Sequence, residues 1–152
     1  MAACSFKGLD EISASLEQLS RLTDDEKMSV IMPGARLLLQ RQKDKILSLF
    51  IQHTGDLEAS LTIEEKSGSD GPYAYIFPKG KHRGSSTGKR KGKRRSNGKY
   101  SGTNAEVAYI LEYGSPRIAA THWLETANEE SEEDVVAAQQ GAWNDLLTKK
   151  GL

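Results

Sequence analysis

The stretch from Gly71 to Ala105 contains no aspartate or glutamate and ten lysines and arginines. Its later part, Lys79 to Thr103 (KGKHRGSSTGKRKGKRRSNGKYSGT), is built from Gly, Ser, Lys and Arg and holds almost nothing apolar. A segment that cannot bury apolar surface cannot offset the entropy of ordering its backbone, so alone in water it is expected to stay disordered. The core must therefore come from the residues before Lys79 and after Thr103. The basic stretch is carried between them as an extended loop or hairpin tip.

The remainder of the chain compensates the charge. Of 21 basic residues against 21 acids, ten are Lys79, Lys81, Arg83, Lys89, Arg90, Lys91, Lys93, Arg94, Arg95 and Lys99. The other eleven face all 21 acids, so a +10 segment is set in a −10 body. The densest acids are Glu125, Glu129, Glu130, Glu132, Glu133 and Asp134. Such segregation speaks to partners more than to fold. Three readings of the basic residues stay open: contact with DNA phosphates through counterion release, contact with an acidic protein surface such as the acidic helix of a neighbouring subunit, or a solvated loop. Tyr100 is the one aromatic nearby, which argues against base stacking and sequence-specific reading of single strands.

The apolar residues report the elements. Leu9, Ile12, Leu16 and Leu19 recur at helical spacing with Glu11, Ser13, Glu17 and Gln18 turned outward, an amphipathic helix expected to pack on something. Thr23-Asp24-Asp25-Glu26 is a capping box opening a helix that Pro33 kinks or restarts. Ala35, Leu38, Leu39, Gln42, Ile46, Leu49 and Phe50 form the stripe of the main core helix. Gly55 turns the chain; Leu57, Ala59, Leu61 and Ile63 then alternate with polar residues as a half-buried strand. Ser67 to Pro72 is a turn cluster, and Tyr73 to Phe77 a second, antiparallel strand.

Beyond the basic segment, Asn104 is placed to cap a short helix, with Glu106 in its first turn and Gly114 ending it. Val107, Tyr109, Leu111 and Tyr113 also alternate at period two, but the caps favour the helix. Ser115 and Pro116 turn the chain, Arg117 to Ala120 pair briefly with a sheet, and Thr121 caps a last long helix. Trp123 and Leu124 anchor that helix, and its stripe runs through Ala127, Ser131, Val135, Ala138, Ala142 and Leu146, widened by Trp143 and Leu147. The expected fold is one α+β domain over 1–152: a small antiparallel β-sheet flanked by a long core helix and a long C-terminal helix, with an extended basic loop.

Tyr109, Glu112, Tyr113, Gly114 and Ser115, followed by Ala120, Trp123 and Leu124, resemble a tyrosine, Glu-aromatic-Gly-Thr and Pro-Ala-x-Pro-Phe-Leu pattern. That pattern belongs to the tail-component or neck (tail completion) proteins at the head-tail junction of long-tailed bacteriophages. Phe6 to Glu11 is similar to the family's Gly-Leu-Asp-Glu opening. Thr54 to Leu61, with Gly55 and Leu57, is similar to its Thr-Gly-x-Leu-x-x-Ser-hydrophobic element. Ser115 stands where threonine is usual, and Ala119 and His122 where prolines are usual.

The resemblance implies a structural virion protein, made in the host cytoplasm and assembled as a six-fold or twelve-fold ring between the head connector or adaptor and the tail terminator or tail tube. The basic loop would face packaged DNA or an acidic neighbour, and the acidic helix would serve a subunit interface. The alternative is a small nucleic-acid-binding protein acting through that loop alone.

No catalytic constellation stands out. Cys4, His53, His82, His122 and Glu112 are not tied by spacing to a nucleophile or base, and the sequence has no P-loop, dinucleotide fingerprint, HExxH or CxxC. Glu112 is expected to make a structural hydrogen bond or salt bridge near the glycine turn, and His122 to cap or pack. A lone cysteine allows no intrachain disulfide, and neither cofactor nor metal is assigned. No apolar run approaches the roughly 20 residues of a membrane span, and the N-terminus lacks a signal-peptide apolar region.

Overall fold

A computed structural model describes residues 7–49, 55–81 and 103–151. Cys4, Phe6, Phe50, His53, Thr54, His82, Tyr100 and the basic residues from Arg83 to Lys99 lie outside them. The order of elements is α1 (Lys7–Ser20), α2 (Asp24–Ser48), α3 (Asp56–Ser60), β1 (Leu61–Gly68), β2 (Gly71–Pro78), α4 (Asn104–Tyr113) and α5 (Trp123–Lys150). The fold is α+β: a two-stranded antiparallel sheet and the long helices α2 and α5.

Helix α2 is the spine, with the sheet and α5 both packed along it. Its start is fixed by the expected capping box: Thr23 N–H donates to Glu26 Oε2 at 3.0 Å, and Glu26 N–H to Thr23 Oγ1 at 3.3 Å. Pro33 sits inside without ending the helix. Of the expected stripe, Gln42 and Ile46 are buried and Leu39 joins the core, but Leu49, at the C-cap of α2, is exposed.

The core gathers Ile46, Leu57, Leu61, Ala108 and Trp123, flanked by Leu39, Ile76, Val107, Leu111 and Leu124. Each half of the chain supplies part of it, so neither side of the basic segment closes a core alone.

Several expected details are corrected. Residues 56–60 form the helical turn α3 instead of the start of a strand. Leu57 and Leu61 are both buried, and their spacing of four puts them on one side of a helical turn, while Ser60 Oγ donates back to Leu57 O at 2.7 Å. Strand β1 therefore begins at Leu61 and continues to Gly68. The turn narrows to Ser69-Asp70, since Ser67 pairs with Pro72 and Gly68 with Gly71. The outer face of β2 stacks Tyr75 on Phe77 at 5.2 Å, and Tyr75 Oη donates to Glu64 directly opposite at 2.7 Å.

Helix α1 is a case apart. Its backbone is helical as expected, yet it has no more than a marginal contact with any other described element, and Leu16 is 61% exposed. Of its apolar stripe, Leu16 is exposed and Leu19 half-buried among the residues whose side chains are described.

Candidate functional site

The residues of the central motif meet where α4 hands over to α5. Thr103, one residue earlier than expected, caps α4: its N–H donates to Glu106 Oε2 at 2.9 Å and its Oγ1 accepts from Glu106 N–H at 3.2 Å. Asn104 cannot make this reciprocal pair, because the residue three beyond it is Val107. Gly114 ends α4 at φ +80°, its N–H donating to Ile110 O. A Cβ there would stand 2.8 Å from Ala120 N and 2.9 Å from Ile118 O, so the reversing chain leaves room for glycine alone.

The turn closes on itself. Ser115 and Ile118 form a single antiparallel bridge, and Arg117 to Ala120 do not join the sheet as expected. Thr121 does not cap α5; its N–H and Oγ1 both donate to Leu111 O, at 2.8 and 2.7 Å. His122 occupies the backbone capping position at φ 48°, ψ 36°, where its side chain makes no cap.

The cap comes from the other helix. Glu112, 4% exposed, accepts from Leu124 N–H at 2.7 Å and from Glu125 N–H at 3.1 Å, one on each carboxylate oxygen. A carboxylate against two orphan donors at the positive end of a helix is favourable in hydrogen bonding and in charge. Trp123, 1% exposed, fills the core beside it and donates Nε1–H to Ala108 O at 3.4 Å. The sequence pointed to Glu112 as structural but not to what it holds, which lies 12 residues on.

Gly55 begins α3 at φ 72°, and Leu57 points into the same core. Five of the seven motif residues, Gly55, Leu57, Glu112, Gly114 and Trp123, thus build the fold. The other two do not. Tyr109 and Tyr113, 64% and 63% exposed, pair on the outer face of α4 with ring centroids 4.8 Å apart and planes tilted by 49°.

The basic segment leaves and returns at one point. Lys81 and Thr103 are bridge partners; Asn104 N–H donates to Gly80 O at 3.1 Å, and its buried Nδ2 to Lys79 O at 2.9 Å. Asn104, expected as a cap, is a clasp across the stem. Of the ten cations, Lys79 lies 3.6 Å from Glu64, Lys81 is exposed in the stem, and the other eight fall outside the described residues.

The acidic helix divides by face. Asp134 pairs with Arg41 at 2.8 Å and Glu130 with Lys45 at 2.7 Å, clamping α5 to α2 around a cleft of about 410 Å³. Glu129, Glu132 and Glu133 stay exposed without a partner among the described residues. Trp143 is half-buried on α5.

Glu112, His122 and Glu125 bring ligand-type atoms within 4.8 Å of one another. Both Glu112 oxygens are already engaged by N–H groups at the positive end of a helix, where a cation is disfavoured, so the cluster reads as a helix cap. His122 Nδ1 lies 3.3 Å from Glu125 Oε2 at the exposed edge. No helix among the described residues is long and apolar enough to cross a membrane. No protein-family model matches the chain, and neither a curated protein nor a solved structure is detectably similar to it.

Proposed function

We propose that the chain is a structural virion protein of the head-tail junction of a long-tailed bacteriophage. It assembles as a ring that links the head connector to the tail, and it works by docking without chemistry. The observation that carries this reading is the division of labour inside the motif. Its one buried carboxylate is consumed in capping a helix, while its two tyrosines are left outward beside the turn. A motif that builds a turn and displays aromatic rings suits recognition of a protein surface, since tyrosine brings large contact area at low entropic cost.

Charge supports the same reading. The basic segment begins and ends at a stem paired at Lys81 and Thr103, and the carboxylates of Glu129, Glu132 and Glu133, without a partner among the described residues, lie on another helix, so opposite charges can meet between copies. The segment's eight cations without an acid from residue 82 to 102 equally suit the phosphates of packaged DNA.

Light scattering and electron microscopy of the protein alone, then mixed with purified tails and DNA-filled heads, test the proposal. Ring formation or specific attachment to either particle is expected, and it should disappear in the Tyr109→Ser, Tyr113→Ser double variant while the fold is retained. A monomer that ignores both particles but shifts free nucleic acid in a salt-sensitive way would replace this reading with the nucleic-acid one.

A further inference from the structure

Two openings on the seam between α2 and α5 run into one another. One, about 330 Å³, lies between α2, β2 and α5 and is walled by Ile31, Leu38, Ile76, Leu124 and Val135. The other, about 370 Å³, shares Leu38, Asn128 and Val135 with it and adds Val136 and the carboxylates of Glu129 and Glu132. Together they make a groove with an apolar floor and an acidic rim.

Inside the groove one polar atom is left over. Gln42 lines the inner part and is 3% exposed; its Nε2 donates to Asn128 Oδ1 at 2.9 Å, while its buried Oε1 has no partner among the described residues. An acceptor shut away from water without a donor costs free energy that an arriving N–H group recovers. At the rim Glu129 and Glu132 are exposed, also without a partner among the described residues. The groove is therefore complementary to three things at once: apolar side chains, a neutral N–H donor inside, and positive charge outside.

An extended peptide carries all three, because alternate side chains point to opposite sides and the backbone supplies the N–H. A cation held inside would have to shed its water against apolar walls. The chain's own acid-free stretch does not fit the floor, since residues 79–103 include no leucine, isoleucine, valine, methionine or phenylalanine. We propose that the groove binds an extended segment of a partner protein in which apolar residues alternate with lysine or arginine. The apolar side chains fill the floor, one backbone N–H donates to Gln42 Oε1, and the cations meet Glu129 and Glu132. This inference stands on the groove alone and does not depend on the head-tail reading.

Fluorescence anisotropy of the full chain with the labelled peptide acetyl-Lys-Leu-Lys-Leu-Lys-amide supplies the test. Saturable binding is expected, weaker as salt is added, and at least tenfold weaker when alanines replace the leucines or glutamates replace the lysines. Glu129→Lys with Glu132→Lys should weaken it at least tenfold, whereas Glu133→Lys, next along the helix but outside the groove, should change it less than threefold. Gln42 is read from the peptide side. Methylating each peptide nitrogen in turn should find one position that weakens binding to the wild type at least fivefold and leaves binding to Gln42→Leu unchanged.

Equal binding of the alanine peptide, or an equal loss from Glu133→Lys, would reduce the attraction to surface charge and overturn the inference. So would a methylation series that does not distinguish the wild type from a folded Gln42→Leu variant, or a full chain that binds no peptide. Self-association of the chain that excludes the peptide would overturn it in favour of a second copy. The junction reading fails separately, on ring formation and attachment to heads and tails and on the Tyr109→Ser, Tyr113→Ser variant, whose substitutions lie outside this groove.

Discussion

The turn between α4 and α5 and the seam between α2 and α5 both hold the C-terminal helix, by opposite means. At the turn, a buried carboxylate, a glycine against backbone and a tryptophan in the core fix where the helix begins. Along the seam, half-exposed ion pairs and long side chains such as Gln139 meet over a partly empty interface. The turn sets position through contacts that cannot relax. The seam supplies attachment through groups that can.

The largest expected effect is at the turn. Trp123→Ala should cost about 3–5 kcal/mol, as large-to-small changes at fully buried aromatics do, read as a lower urea midpoint with the slope retained. Glu112→Ala should follow at roughly 2–4 kcal/mol, because it strands two N–H donors in a part-buried site and removes a charge from the helix N-terminus. Glu112→Gln, which keeps one acceptor, should recover part of that loss.

The two glycines make the cleanest comparison. A Cβ at Gly114 and one at Gly34 both meet an atom at 2.8 Å, but at Gly114 that atom is backbone, whereas at Gly34 it belongs to the Gln139 side chain. Gly114→Ala should cost at least about 2 kcal/mol, since a φ of +80° with an extended ψ is glycine's alone. Gly34→Ala should stay within about 1 kcal/mol of wild type, because the gain in helix propensity offsets the displacement of Gln139. Equal losses at the two positions would abolish the contrast between a rigid turn and a yielding seam.

Removing the seam's ion pairs should do less. Arg41→Ala and Lys45→Ala are each expected to cost at most about 1 kcal/mol and to cost less in high salt, because their partners are largely exposed. The smallest expected effect is a pH dependence at the periphery. The Lys150 ammonium and the Thr23 N–H hold Glu26 below the usual carboxylate range, and the Tyr75 hydroxyl with Lys79 and Lys66 does the same for Glu64. A depressed folded value means that the native state binds fewer protons than the unfolded one. This stabilisation is full above the unfolded carboxylate value of about 4.3 and is lost as pH falls through the lower folded values. Urea midpoints should therefore drop on acidification, less steeply in Glu26→Gln and Glu64→Gln.

Local signals were legible wherever the physics is local. The Thr23–Glu26 box, the stripe through Gln42 and Ile46, the strand at Tyr73–Phe77 and the glycine stop at Gly114 are all present. Errors arose where two local signals competed. Leu57 and Leu61 fit period two and period four equally, and the core chose four. Thr103 and Asn104 are both good caps, and the glutamate three residues on chose threonine.

What the amino-acid order determined by itself was the helices and their faces, the hairpin, and the segregation of charge around an acid-free basic segment, because each depends on neighbours a few residues apart. Only the tertiary structure decided that Glu112 caps a helix 12 residues away, that Asn104 clasps the stem of the basic segment, and that Glu130 and Asp134 face α2 while Glu129, Glu132 and Glu133 do not. It also decided that Leu16, on a stripe indistinguishable in sequence from that of any core helix, is exposed. Burial is a property of the assembled surface, and a hydrophobic period says that a face wants cover without saying which molecule provides it.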